Sequence, residues 1–117
     1  MKKLKSKYVV ELTEVLETSN NYYIIQEFCD GGDFRHIIKK RKFLPESEAL
    51  EVLKNLLSGF TELLEHGIIH RDLKPENILK AGDIYKLADF GFARTVDNFK
   101  KQMLESLVGT PLYMSPQ

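Results

Sequence analysis

The stretch His70-Arg71-Asp72-Leu73-Lys74-Pro75-Glu76-Asn77, followed after a short hairpin-like segment by Asp89-Phe90-Gly91, decides how this chain is read. The first run is a charged, hydrogen-bonding loop. The second is a carboxylate at a tight glycine turn. Two acids, an amide and a lysine suit a magnesium–phosphate complex, because Mg2+ takes hard oxygen ligands, usually one or two carboxylates plus phosphate oxygens. Asn77 and Asp89 offer such oxygens, and Lys74 offers a point charge for a phosphate. Asp72 is an acceptor able to orient or deprotonate a hydroxyl.

The segments before these motifs alternate between strand and helix patterns. Residues 8–18 read as a strand with Val10, Leu12 and Leu16 on one face and Glu14 interrupting it. Ser19-Asn20-Asn21 is turn chemistry, and Tyr22 to Phe28 is aromatic and β-branched, as the partner strand of a hairpin is. Gly31-Gly32 breaks the chain. Asp33 stands where it caps a short helix reaching about residue 41, with Phe34, Ile37 and Ile38 as its apolar stripe. The basic run Lys39 to Lys42 complements the negative end of that helix. Pro45, Glu46 and Glu48 open a long helix that Gly67 ends. Its core stripe reads Ala49 or Leu50, Leu53, Leu56 or Leu57, Phe60, then Leu63 or Leu64. Beyond it, Ile68-Ile69, Ile78-Leu79 and Tyr85-Lys86-Leu87 are very short strands, and after residue 91 the pattern is that of a long loop.

Composition narrows the function classes. The 117 residues are 43% hydrophobic and 29% charged, as expected of one globular domain. Seventeen basic and seventeen acidic residues cancel, so there is no electrostatic footprint for nucleic acid or an anionic membrane. No apolar run has the length of a membrane span. The basic N-terminal run, Met1 to Lys7, lacks the apolar segment of a signal peptide and reads as a solvated helix end or linker, the alternatives being a targeting scrap or a nucleic-acid arm. The single cysteine, Cys29, excludes an internal disulfide and fits a reducing, cytoplasmic location. His66 and His70 have the spacing of zinc ligands on a helix, but Gly67 interrupts it and the accompanying glutamate is absent.

The two motifs, in this order, resemble the catalytic loop and metal-binding triplet of eukaryotic-type serine/threonine protein kinases. Lys74, two residues after Asp72, is similar to the serine/threonine class. The resemblance implies that Asp72 accepts the proton of a substrate hydroxyl, that Lys74 steadies the γ-phosphate of ATP, and that Asn77 and Asp89 hold Mg2+. Arg71 would pair with a phosphate on the activation segment, and Phe90 and His70 would pack in a hydrophobic column with Leu12 above them. Gly91 completes the triplet.

The similarity runs the whole length of the chain. Tyr23 to Asp33 resembles a fifth strand and hinge, which implies that backbone groups of Glu27 and Cys29 meet the adenine, Asp33 reaches the ribose and Leu79 forms the floor. Gln26 falls at the gatekeeper position, where a polar side chain is unusual. Cys29 is either a reactive thiol or a small apolar residue whose backbone does the work, the latter being the simpler reading. Ser106 to Pro116 resembles the end of an activation segment. Ser106 there is either the site of an activating phosphate or a loop polar residue, and Thr110 would contact Asp72. The wording around Thr110 and the hinge loosely resembles autophagy-initiating kinases.

The expected fold is therefore α+β, a partial two-lobed protein kinase: residues 1–26 from the small lobe, a hinge at 27–32, and residues 33–117 from the large lobe. The implied partners are a protein substrate bearing serine or threonine and an upstream activating kinase. The chain departs from the family's pattern in having no glycine-rich phosphate loop, no Val-Ala-x-Lys strand and no lower helices, and in ending at Gln117 where a glutamate is usual. The expectation is that these 117 residues alone are inactive and marginally folded. The alternative is a truncated pseudokinase serving as a binding or regulatory module.

Overall fold

A computed structural model describes residues 4–95 and 109–114. The elements are of the expected α+β class. Strands β1 (Leu12–Glu17) and β2 (Tyr22–Gln26) form an antiparallel hairpin, closed by Thr18, whose N–H donates to the Asn21 carbonyl at 2.9 Å. Helices α1 (Phe34–Arg41) and α2 (Glu46–Glu65) follow, then β3 (Ile68–Ile69), β4 (Ile78–Ala81), β5 (Ile84–Leu87) and β6 (Arg94–Thr95). β4 and β5 pair with each other, and β3 pairs with β6. Single 3₁₀ turns occupy Pro75–Asn77 and Pro111–Tyr113.

Local chemistry sets the helix ends. Asp33 is the cap of α1, its Oδ1 accepting from the His36 N–H at 2.8 Å. Lys39, Lys40 and Arg41 fill the last turn of α1, against the negative end of its dipole. Glu46 and Glu48 complement the start of α2, and Gly67 ends it in the left-handed region at φ 66°.

The long helix α2 lies against the β4–β5 hairpin. Val52 packs with Ile78 and Tyr85, and Leu63 packs with Leu4, Val9 and Leu87. Leu63 and Leu87 are fully enclosed, each side chain stabilising the fold by roughly 1.5–3 kcal/mol relative to exposure. Phe34 of α1 meets Tyr85 edge to face at 5.4 Å between centroids.

Three sequence expectations need correction. The first strand begins at Leu12, not residue 8. Tyr8 to Val10 instead run alongside β5, with Val10 N–H donating to the Leu87 carbonyl at 2.8 Å and Leu87 N–H to the Tyr8 carbonyl at 2.9 Å. A bulge between Leu12 and Glu14 shifts the register, so Leu12 faces Gln26 and Val15 faces Ile24. That shift exchanges the faces of the strand. Val15 therefore shares the cavity lined by Leu12, while Leu16 is absent from that lining. On α2 the expected Leu63 is enclosed, with Leu56 and Phe60 packed half-buried against the core, but the enclosed row also takes Val52 and Gly59, whereas Leu50, Leu53, Leu57 and Leu64 are exposed. Finally, the stretch after residue 91 contains β6, which completes a two-residue pairing with β3. Ser106, Gln117 and the first three residues of the basic N-terminal run lie outside the described residues.

Candidate active site

Asp72 stands at the centre of the loop before the Pro75–Asn77 turn and is only 3% exposed. Three side chains converge on its carboxylate. Thr110 Oγ1 donates to Oδ1 at 2.7 Å, Asn77 Nδ2 donates to Oδ2 at 3.0 Å, and Lys74 Nζ lies 2.7 Å from Oδ2. Burial pulls this carboxyl upward. Hydrogen bonds from Lys74, Thr110 and Asn77, with the Lys74 charge, outweigh burial and hold Asp72 below the ordinary carboxylate range. The hydrogen bond to Asp72 pushes Lys74 above the ordinary lysine range. Lys74 also reaches Thr110 Oγ1 at 3.0 Å, so the three side chains form a closed triangle.

His70 fixes the backbone beneath this triangle. Its buried ring accepts the Asp72 N–H on Nδ1 at 3.3 Å and donates from Nε2 to the Ala88 carbonyl at 2.9 Å, which places its proton on Nε2. One imidazole thus joins the loop of Asp72 to the approach to Asp89. The ring lies between Phe60 and Phe90, with centroids at 6.5 Å and 5.0 Å. Phe90 and Leu12 line one apolar cavity with Gln26. Arg71 (φ 66°) and Asp89 (φ 61°) adopt left-handed backbone conformations. Such strain in non-glycine residues concentrates at functional sites.

Asp89 is exposed and lines an open cleft of about 450 Å³ together with Gln26, Asn77, Leu79 and Ala88. Gly91 donates its N–H to Asp89 Oδ1 at 3.1 Å. Asn77 spends its Nδ2 on Asp72, donating to the carbonyl at 2.9 Å and the carboxylate at 3.0 Å. Its Oδ1 has no protein partner among the described residues. No group of three or more His, Cys, Asp or Glu able to hold a metal occurs among those residues. Asn77 and Asp89 line the same cleft, and an amide oxygen with a carboxylate is a hard donor set that suits a cation arriving with phosphate oxygens of its own, as Mg2+ does.

The segment between β2 and α1 is tied along its length to the β4–β5 hairpin. The Glu27 carboxylate pairs with Lys86 of β5, and Asp30 Oδ1 accepts the Gly82 N–H of the hairpin turn at 3.1 Å. Gly31 N–H donates to the Lys80 carbonyl and Lys80 N–H to the Gly32 carbonyl, both at 2.9 Å. A Cβ on Gly31 would lie 2.7 Å from Lys80 Cβ, so this approach requires glycine. Neither the Glu27 carbonyl nor the Cys29 N–H has a backbone partner among the described residues. Cys29 packs with Val10 and Ala88, beside Leu79. Burial first, then the Glu27 charge, raises its thiol pKa, which suits the apolar reading of this residue.

Other expected residues are placed apart from the cleft. Asp33, occupied in capping α1, lines a neighbouring pocket with Arg35, His36, Lys39 and Glu76. Arg71 donates from Nε to the Phe92 carbonyl at 2.7 Å. Burial, and behind it the charge of Arg94, lower its pKa. The sequence did not single out Arg94 or the pairing role of Lys86. An isolated arginine or lysine on a short strand carries no spacing signal.

The whole chain, residues 1–117, matches the family model described as protein kinase domain. The serine/threonine-protein kinase atg1 of Dictyostelium discoideum is 41% identical over 124 residues, which cover 100% of this chain and 18% of that protein. The serine/threonine-protein kinase TIO of Arabidopsis thaliana is 39% identical over 118 residues, covering 100% of this chain and 9% of that protein. The human serine/threonine-protein kinase ULK3 is 39% identical over 120 residues, covering 100% of this chain and 25% of that protein. The chain spans a quarter or less of the length of these relatives. No helix among the described residues is long and apolar enough to cross a membrane.

Proposed function

This chain belongs to the protein kinase family, and on that ground we propose that it serves, within a longer kinase, to transfer the γ-phosphoryl group of ATP to serine or threonine hydroxyls of protein substrates. Mg2+ bound with ATP supplies charge neutralisation at the phosphates. Asn77 Oδ1 and Asp89 hold that ion, and Lys74 meets the γ-phosphate. Asp72 receives the hydroxyl proton as the oxygen attacks phosphorus, and ADP leaves. Glu27 and Cys29 offer their backbone carbonyl and N–H to the adenine and Leu79 lies beneath it; Asp33 would reach the ribose only by giving up its cap contact to the His36 N–H. Arg71, with Arg94 beside it, receives a phosphate placed on the activation segment by an upstream kinase, Ser106 being the acceptor. A single buried thiol accords with a cytoplasmic setting.

One observation carries this reading: Lys74, Asn77 and Thr110 converge on one buried carboxylate, joined through His70 to the segment of Asp89. Phosphoryl transfer depends mostly on such positioning. The test measures Mg–ATP binding and phosphate transfer to a serine-bearing protein by a longer kinase that carries these residues, with Asp72→Asn as control. Transfer that the substitution abolishes supports the proposal. Nucleotide binding without transfer favours the regulatory-module reading, and absence of both sinks the assignment.

A further inference from the structure

The ion pair between Glu27 and Lys86 has no part in the chemistry above, yet it is one of the better shielded in the fold. The side chains are 24% and 13% exposed, against 67% and 64% for the surface pair of Lys54 and Glu51. A shielded pair is screened less by salt and loses less to solvent competition. Its position is also specific. Tyr85 and Leu87 of β5 turn toward α2 and are buried there with Val52 and Leu63. Alternation along a strand sends Lys86 to the opposite face, where it reaches the segment leaving β2.

Glu27 uses its whole carboxylate. Oε1 takes Lys86 and Oε2 accepts the Glu11 N–H at 3.1 Å, while the Glu27 N–H donates to the Glu11 carbonyl at 3.0 Å. The first segment, the inter-element segment and β5 therefore meet at one side chain. Lys86 stands three residues before Asp89. With its side chain and N–H engaged, Glu27 has its carbonyl left over, beside the N–H of Cys29.

We infer that Glu27 and Lys86 form a positioning pair that presets the backbone of residues 27–29 for a purine ring and locks it to the strand leading to Asp89. The inference rests on the ATP reading of the cleft. Presetting a binding segment lowers the ordering cost of the ligand, so loss of the pair shows as weaker nucleoside affinity. The effect is visible with adenosine, which has no phosphate and needs neither Lys74 nor a metal.

The experiment titrates adenosine and Mg–ATP into a longer kinase that carries these residues and into its Lys86→Met, Lys86→Arg, Glu27→Gln and double Glu27→Gln/Lys86→Met variants, with thermal unfolding recorded alongside. Lys86→Met is expected to weaken adenosine by roughly tenfold, as loss of a charge-assisted contact does, and to weaken Mg–ATP by a similar factor. Lys86→Arg restores adenosine binding to within about threefold, because the charge and the reach are kept. Glu27→Gln, which keeps shape, gives a smaller loss, and the double variant is no worse than Lys86→Met alone. Should Lys86→Met not fold, Glu27→Gln and Lys86→Arg decide the matter. Unchanged adenosine affinity in Glu27→Gln or Lys86→Met, or losses that simply multiply in the double variant, overturns the inference while leaving the ATP reading intact. A parent protein that binds neither adenosine nor ATP overturns both.

Discussion

Thr110 and Asp72, separated by 38 positions in the chain, are joined by a 2.7 Å hydrogen bond from Oγ1 to Oδ1. The bond holds residues 109–114 against the loop of Asp72, and Lys74 closes the triangle from the other side. Asp72→Asn is expected to lower the transfer rate by about 10²–10⁴, the usual worth of a positioned proton acceptor. Thr110→Val removes a positioning contact only, and its loss is expected at roughly 3- to 10-fold, with Thr110→Ser close to the parent. Steady-state transfer assays on the three variants check the order. A Thr110→Val rate equal to the parent's would remove Thr110 from the site.

The same triangle sets a pH dependence. Asp72 lies below its ordinary value of 3.8, so its contribution to stability is present above that value and is lost as pH falls through the depressed folded pKa. Lys74 lies above its ordinary value of 10.5, so its contribution is complete below that value and is lost as pH rises through the raised folded pKa. Across the neutral range neither contribution changes. Thr110→Val takes a donor from Asp72 and is expected to move the acid transition to higher pH. Urea midpoints followed into acid check this, and acid limbs that superimpose for parent and variant would contradict it.

Gly59 offers a test of packing. In an open helix, glycine to alanine gains about 1 kcal/mol. Here the new Cβ would lie 2.9 Å from the Tyr8 carbonyl oxygen and 3.1 Å from Leu87 Cδ1, a side chain with no exposed surface. The backbone of the N-terminal segment would have to move. Overpacking costs about 1–3 kcal/mol, so Gly59→Ala is expected to destabilise the protein by a net of up to ~2 kcal/mol. Urea denaturation with an unchanged slope is the measurement, and a stabilised variant would show that Tyr8 does not press on α2.

Much of the site was legible in the sequence because its signals are local. Asp33 as a cap, Gly67 as a helix end and the Asp72–Asn77 spacing each depend on neighbours within a few residues. The remainder depends on tertiary placement. The bulge at Leu12–Glu14 exchanges the faces of β1 without changing its composition, so simple alternation puts Leu16 on the wrong side. Helix α2 carries apolar residues on two faces, and periodicity alone could not decide that Val52, Gly59 and Leu63 are the enclosed row. A two-residue strand such as β6 has no period to detect. Lys86 reads as a surface lysine until the fold brings Glu27 against it.

Asn77 gives the sharpest separation between the proposed proton acceptor and the proposed metal ligands. Its Nδ2 makes both contacts to Asp72, so its Oδ1 is the atom offered to the cleft shared with Asp89. Asn77→Asp would keep an oxygen for Mg2+ and remove the donor. A carboxylate would then face the Asp72 carboxylate at hydrogen-bonding distance, in a buried setting where like charges raise one another's pKa. The acid limb of the transfer reaction is therefore expected to shift upward in Asn77→Asp. Its rate at neutral pH should fall by about 10²-fold, the scale of a lost preorganised contact. Asn77→Ala removes oxygen and donor together, and is expected to raise the Mg2+ concentration needed for half-maximal transfer. Rate profiles against pH and Mg2+ separate the two effects. A parent-like acid limb in Asn77→Asp would mean that the amide does not hold Asp72, and an unchanged Mg2+ requirement in Asn77→Ala would mean that Oδ1 does not meet the metal.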